Sequence, residues 1–187
     1  MDILMLRLFL GFRLDYAVRR NLELMLEHFA PLAELHWTKP DNFHITTTFL
    51  GSWPEDRLPE LKAALAAAPL PPAFQVNIDG LGWFDNPHNP RSLFAGVRAP
   101  AALAEVKQIT EAALAPLGWQ REARPYVPHV TLARVKTKPD LGPLRRAIAS
   151  LPSNEFGECH LNRHLLYRSD LNPSGSTYTV VGEFPLR

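Results

Sequence analysis

The amino-acid sequence predicts an α+β protein built on antiparallel sheets. Segments with helical and with strand periodicity alternate along the chain, several predicted strands follow one another through short turns, and one short strand motif occurs in each half. Strands joined by short turns pair antiparallel, whereas a doubly wound parallel sheet needs a long crossover between successive strands. The repeated motif also indicates duplicated lobes with one motif in each.

Helices are predicted where apolar residues recur three and four positions apart, at residues 15–29, 54–68, 101–117 and 140–151. In the first of these, Asp15 is a typical N-cap residue, and Leu22, Leu26 and Phe29 form one apolar stripe. Pro31 should prevent the helix from continuing.

Strands are predicted where β-branched and aromatic residues cluster between turn residues, at 7–12, 36–37, 43–50, 74–81, 92–97, 129–135, 156–162, 164–168 and 177–184. Gly51 is expected to end the third strand. A loop rich in proline and asparagine, residues 85–91, is expected between the fourth and fifth.

The composition is that of an ordinary globular protein, with 46% hydrophobic and 21% charged residues. The net charge of +1 disfavours a protein that follows many duplex phosphates, so a nucleic-acid ligand would be held by a few nucleotides or one phosphate group. The single cysteine, Cys159, fits a reducing compartment and is expected to be inert packing. The N-terminus lacks the features of a signal peptide, and no stretch approaches the ~20 apolar residues of a membrane span. We therefore expect a cytoplasmic monomer without a membrane partner.

Two predicted strands carry a His-x-Thr motif, with His44 and Thr46 in one and His129 and Thr131 in the other. Because alternate side chains of a strand share a face, each histidine should lie beside the threonine two residues later. The apolar residue between them should face the core. Each motif would therefore present an imidazole and a hydroxyl together.

Strict alternation also makes predictions beyond the motifs. It places Thr48 on the face of His44 and Ala133 on the face of His129. Arg134 would then point away from His129, although its guanidinium is a suitable phosphate clamp. Arg134 could reach the phosphate only if the strand twists or bulges near its end.

A pair of imidazoles with two hydroxyls suits the opening of a cyclic phosphate by water. A neutral imidazole can take the proton of water while a protonated one supplies a proton to the departing ribose oxygen. The hydroxyls can donate hydrogen bonds to the non-bridging oxygens. The residues alone leave open which histidine is acid and which is base. A lone strand histidine is ordinarily structural, so a non-catalytic nucleotide-binding module and an interaction protein stay open as alternatives.

Residues 43–51, Phe-His-Ile-Thr-Thr-Thr-Phe-Leu-Gly, resemble the first motif of the 2H phosphoesterases. Residues 124–134, Arg-Pro-Tyr-Val-Pro-His-Val-Thr-Leu-Ala-Arg, resemble the second motif of its RNA 2′,3′-cyclic phosphodiesterase, or LigT-like, branch. The similarity extends over nearly the whole chain. It implies one domain over residues 1–187, with two interleaved, pseudo-symmetric lobes, helices outside and an active-site cleft between the lobes. Thr47 and Thr48 depart from the pattern, since relatives often carry a leucine and a basic residue there.

The resemblance implies hydrolysis of RNA 2′,3′-cyclic phosphate ends to 2′-phosphates, with no cofactor and no metal. His44 would be the proton donor to the 3′-oxygen and His129 the acceptor of the water proton. Thr46 and Thr131, with Arg134, would bind the phosphate. The joining of tRNA halves through a 2′–5′ bond at the same site is the alternative reaction.

Two aromatic residues, Tyr126 and Phe84, are candidates to flank the ribose or stack on a base. The remaining histidines are expected to be structural. His28 lies at a polar position of a predicted helix, and the others lack the threonine of a His-x-Thr motif; they are His36, His88, His160 and His164. A zinc site from His160 and His164 is disfavoured, because their spacing is typical of ligands on a helix and the segment is predicted to be strand.

Overall fold

A computed structural model describes residues 3–86 and 88–187. Within them the strands are β1 (Met5–Arg13), β2 (His36–Trp37), β3 (His44–Pro54), β4 (Phe74–Asn86), β5 (Asn89–Arg98), β6 (His129–Arg134), β7 (Glu155–Leu161), β8 (Arg163–Asn172) and β9 (Gly175–Pro185). The α-helices are α1 (Tyr16–Phe29), α2 (Leu58–Ala67), α3 (Ala101–Leu114) and α4 (Gly142–Ala149). The predicted order of elements is confirmed.

The strands form two antiparallel sheets, which confirms the predicted α+β class. The first sheet has the order β3-β1-β8-β9, and the second has the order β2-β6-β5-β4-β7. The first sheet therefore combines strands from both ends of the sequence, and the second takes the middle of the chain together with β2. The two lobes are interleaved along the sequence.

Two predicted boundaries differ from the structure. Gly51 does not end β3, because its φ of 73° lets it continue the strand beside an irregularity in the pairing with β1. The predicted loop 85–91 is mostly strand, since β4 and β5 form a long hairpin around its centre.

Helix α1 shows how the sequence builds the layer outside a sheet. Asp15 occupies its N-cap position, but the carboxylate accepts a hydrogen bond from the amide of His160 at 2.8 Å and so ties the helix start to β7. Leu22 and Phe29 are fully buried, and each contributes about 1.5–3 kcal/mol of hydrophobic stabilisation. Cys159 of β7 is also buried, and burial raises the pKa of its thiol to about 11, which makes it a poor nucleophile.

Across the described ranges 3–86 and 88–187, no helix is long and apolar enough to cross a membrane.

Candidate active site

The two motif histidines begin equivalent strands and are oriented in the same way. Nδ1 of His44 lies 2.6 Å from the carbonyl oxygen of Asn42, and Nδ1 of His129 lies 2.8 Å from that of Val127. A carbonyl oxygen only accepts, so each Nδ1 carries the hydrogen and donates it. In a neutral ring, Nε2 is then the nitrogen that can accept a proton. Both imidazoles are therefore prepared to use Nε2 in proton transfer.

Each histidine shares its side of the strand with the motif threonine, as predicted. Thr46 Oγ1 lies 2.8 Å from Nε2 of His44, and the hydroxyl donates to the neutral ring. Thr131 is half-buried on the side of β6 that carries His129. We call these motif-bearing sides of the two sheets the cleft faces.

Strand β3 bulges immediately after its motif, and the prediction for Thr48 is wrong. Thr46 and Thr48 pair with consecutive residues of β1, so Thr47 is an extra residue. A bulge shifts the alternation by one position. Thr48 is consequently buried in the core, with 2% of its surface exposed, whereas Phe49 is 49% exposed and lies on the cleft face.

Strand β6 bulges at the equivalent place. Thr131 and Ala133 pair with consecutive residues of β5, so Leu132 is the extra residue. The predicted position of Ala133 on the face of His129 is wrong, because its side chain is fully buried. Arg134 is exposed and lies on the cleft face, which is the bulged geometry that a phosphate clamp at this position requires.

Burial and positive charge keep both histidines neutral in the free protein. Burial lowers the pKa of His44 to about 4, a hydrogen bond to the carbonyl of Asn42 opposes this, and the charges of His129 and Arg134 lower it further. Burial also lowers the pKa of His129, against the effect of the carbonyl of Val127, and Arg134 adds to the shift. The charge of Arg134 acts on both rings and that of His129 acts on His44, so the two cleft faces lie close together.

Aromatic rings surround the first histidine. The ring of His44 lies 4.8 Å from that of Phe9, 5.2 Å from that of Tyr178 and 6.0 Å from that of Tyr167. Phe9 also lies 6.1 Å from Phe49, which extends the aromatic wall beyond the bulge. This wall offers an apolar surface beside the imidazole of His44.

Phe84 lies beside the second histidine. Its ring is 4.6 Å from that of His129 at an interplanar angle of 75° and stacks on Phe94 at 4.2 Å. Phe94 covers Gly82, where a Cβ atom would lie 2.5 Å from the phenyl ring, so a larger residue there would have to displace the ring. A contact between Phe84 and the ribose stays a prediction.

Tyr126 makes a contact that the sequence did not indicate. Its hydroxyl donates to the carbonyl oxygen of Thr46 at 3.0 Å, and its ring lies 5.2 Å from Nζ of Lys107. Lys107 in turn donates to the carbonyl oxygen of Thr47 at 3.1 Å. The predicted contact between Tyr126 and the ribose stays a prediction, and the structure gives its hydroxyl a protein partner.

His164 has a threonine partner from another strand. It is 1% exposed, and its Nε2 lies 2.7 Å from Oγ1 of Thr47. His164 has no threonine two residues later, as the sequence shows, and the buried contact with Thr47 agrees with the expected structural role. His160 and His164 belong to different sheets, and no group of three or more histidine, cysteine, aspartate or glutamate residues suitable for a metal ion occurs within the described ranges.

The family model described as LigT like Phosphoesterase matches residues 14–94 and 97–178. An RNA 2′,3′-cyclic phosphodiesterase of Methanocaldococcus jannaschii is 30% identical over 180 residues, which cover 96% of this chain and 100% of the relative. A protein of the same description from Archaeoglobus fulgidus is 29% identical over 180 residues, covering 96% and 99% of the two chains.

Solved structures share the fold. The crystal structure of TT0787 of Thermus thermophilus superposes with a TM-score of 0.81 at 31% identity, over 97% of this chain and 98% of the other. The structure of E. coli LigT complexed with 3′-AMP has a TM-score of 0.78 at 22% identity, over 98% and 99% of the chains. The second similarity concerns the fold alone.

Proposed function

The chain belongs to the LigT-like phosphoesterase family, and from this membership and the geometry of the cleft we propose that it hydrolyses RNA 2′,3′-cyclic phosphate ends to 2′-phosphates. The observation that carries the proposal is the matched pair of His44 and His129. Each has Nδ1 held by a carbonyl two residues earlier, so that Nε2 is the proton-transfer atom of both rings. The two histidines lie in opposite halves of one cleft, and the charge of Arg134 makes this cleft attractive to an anion.

In the proposed reaction, water attacks the phosphorus opposite the 3′-oxygen. His129 Nε2 takes a proton from the water as the new phosphorus–oxygen bond forms. His44 Nε2 gives a proton to the 3′-oxygen as the bond from phosphorus to that oxygen breaks. The products are a 2′-phosphate and a free 3′-hydroxyl, and solvent exchange restores the two protonation states. General acid and general base catalysis each contribute about 10²–10⁴-fold.

The protonation states follow from burial first and from the charges in the cleft second. A pKa below the ordinary value keeps His129 neutral at physiological pH, as a base requires. His44 must carry a proton, although its pKa is about 4 in the free protein. The bound phosphate is an anion that opposes the charge of Arg134 and therefore raises the pKa of His44. Substrate binding thus favours the protonated form of the acid.

The motif threonines bind the non-bridging oxygens in this proposal. When His44 becomes protonated on Nε2, that nitrogen can no longer accept the hydrogen bond from Thr46. The Thr46 hydroxyl is then released to donate to the phosphate. Thr131 donates to the phosphate from the other lobe, and Arg134 neutralises the charge that develops on the phosphoryl oxygens.

In the proposal, the aromatic rings of the cleft contact the nucleoside part of the substrate. Phe84 would contact the ribose, and the wall formed by Phe9 and Phe49 would contact a base. The net charge of +1 suits a protein that holds a few terminal nucleotides of RNA. A cytoplasmic location, a monomeric state and independence of metal ions are parts of the same proposal.

The test uses an RNA oligonucleotide that ends in a 2′,3′-cyclic phosphate, incubated with the purified protein and a chelator. Phosphorus NMR identifies the product isomer. We expect a 2′-phosphate to form with the chelator present. A 3′-phosphate, or a reaction that stops when the chelator is added, would contradict the proposed mechanism.

A further inference from the structure

The segment that follows His44 is held by polar groups from three distant parts of the chain. Tyr126 precedes β6, Lys107 lies on α3 and His164 lies on β8. All three reach Thr46 or Thr47, the two residues at the bulge of β3. The phosphate-binding end of the first motif is therefore fixed from outside its own strand.

The bulge and the position of β3 at the edge of its sheet explain why such partners are needed. An extra residue interrupts the regular ladder, and backbone polar groups away from water have to find other partners. Here the carbonyl oxygen of Thr46 accepts from Tyr126, and that of Thr47 accepts from Lys107. A lost partner would allow the two peptide groups to rotate, and the Thr46 side chain would move with them.

The side chain of Thr47 is fixed on the opposite side. His164 Nε2 donates to Oγ1 of Thr47 at 2.7 Å, and the Thr47 hydroxyl donates to the carbonyl oxygen of Leu10 at 3.2 Å. Burial lowers the pKa of His164 to about 3, so the ring is neutral and each group in this chain has a consistent donor or acceptor role.

Tyr126 differs from the other two because it joins the two lobes. It directly precedes Val127, whose carbonyl oxygen orients His129. Its hydroxyl binds the carbonyl of Thr46, whose own hydroxyl contacts His44. One hydrogen bond therefore connects the segment that orients one histidine with the residue that contacts the other. Burial raises the pKa of the phenol, which stays a donor at every working pH.

We infer that Tyr126 is a positioning residue whose hydroxyl, bound to the carbonyl of Thr46 across the cleft, sets the spacing between His44 and His129. The inference rests on the proposed function for its kinetic consequence. In-line attack requires both rings at fixed places around one phosphorus atom, and small misplacements of reacting groups reduce the rate of chemistry more than they reduce binding.

The test removes only the hydroxyl, in Tyr126→Phe. The matched control is Trp119→Phe, which removes another aromatic donor, from Nε1 to the carbonyl oxygen of Phe49 at 3.0 Å on the same strand. With a cyclic-phosphate-ended dinucleotide, we expect kcat of Tyr126→Phe to fall about tenfold with KM within about twofold. Trp119→Phe should keep both constants within about twofold of the wild-type values.

A second readout does not depend on turnover. The ring resonances of His129 and His44 are followed by NMR against pH in wild type and both variants, with thermal unfolding as the folding control. We expect Tyr126→Phe to shift the His129 resonances at unchanged fold, and Trp119→Phe to leave them in place. This measurement tests the positioning even if the wild-type protein fails to hydrolyse the substrate, which would contradict the proposed function instead.

Three results would overturn the inference. If Tyr126→Phe kept the wild-type kcat, the hydroxyl would have no role in setting the spacing between His44 and His129. Equal losses in both variants would indicate general weakening of β3. A rise in KM at constant kcat would mean that the hydroxyl binds substrate rather than positioning the histidines.

Discussion

Phe49 and Arg134 occupy equivalent positions in the two lobes, five residues after the histidines that begin their strands. Each follows a bulge at the residue after the motif threonine, and each reaches the cleft face for that reason. The backbones are thus repeated, but the side chains differ: one lobe offers a phenyl ring and the other a guanidinium. In the proposed function, this difference divides the cleft into a nucleoside side and a phosphate side.

Substitutions at these two positions should have separate effects. Phe49→Ala should raise KM for a cyclic-phosphate-ended dinucleotide about tenfold, because stacking on an aromatic ring is worth about 1–3 kcal/mol per base. It should leave the affinity for inorganic phosphate unchanged. Arg134→Gln should weaken phosphate binding and lower kcat/KM about 10²-fold. Leu171→Ala, at an exposed apolar residue of β8, is the control. Equal loss of phosphate affinity in both variants would contradict this division.

The histidine pair should be indispensable for turnover. His44→Ala and His129→Ala should each lower kcat about 10²–10⁴-fold, because each removes one proton-transfer group. Circular dichroism and thermal unfolding serve as the folding controls. Either variant retaining the wild-type rate would exclude acid–base catalysis by the pair.

The histidines should titrate at low pH in the free protein and at higher pH with an anion bound. His44 should titrate near pH 4, since burial and the charges of His129 and Arg134 disfavour its protonated form. Inorganic phosphate should raise the pKa of both rings, so protonation persists to higher pH. Arg134→Gln should also raise both in the absence of phosphate. NMR titration of the ring protons measures these values, and a His44 pKa of about 6.5 in the free protein would contradict the expected burial.

Replacing the two adjacent threonines at the bulge by valine should change the free energy of unfolding in opposite directions. Thr48 Oγ1 is buried and has no hydrogen-bond partner among residues 3–86 and 88–187, so Thr48→Val should raise the free energy of unfolding by about 1 kcal/mol. Thr47→Val should lower it by about 1–3 kcal/mol, because His164 and the carbonyl of Leu10 lose their partner. Denaturant unfolding measures both. A loss of stability in Thr48→Val would argue against the bulge.

Within the motifs, the sequence was a reliable guide to which side chains share a face. Alternation correctly placed Thr46 beside His44, because only one residue separates them and no irregularity intervenes. It failed at Thr48 and Ala133, because a bulge is a property of two paired strands and neither strand encodes it alone. Strict alternation also placed Arg134 on the wrong side of β6, for the same reason.

Contacts between distant segments were beyond sequence reasoning. His164 and Thr47 are far apart in the chain, and only the pairing of β1 with both β3 and β8 brings them together. Tyr126 was predicted to contact the ligand because aromatic residues in such clefts often do. Its bond to Thr46 depends on how the two lobes meet, which periodicity within one segment does not describe.

The interleaving of the two sheets has a consequence for how the chain folds during synthesis. The central pair of the first sheet joins β1 to β8, and the edge pair of the second joins β2 to β6. Pairing between such distant segments is the high contact order that slows folding. A ribosome-bound chain that lacks β8 and β9 holds every strand of the second sheet, but of the first sheet it holds only β1 and β3. The lobe that carries His44 should therefore be completed last, with the open edge of β1 exposed to aggregation until then.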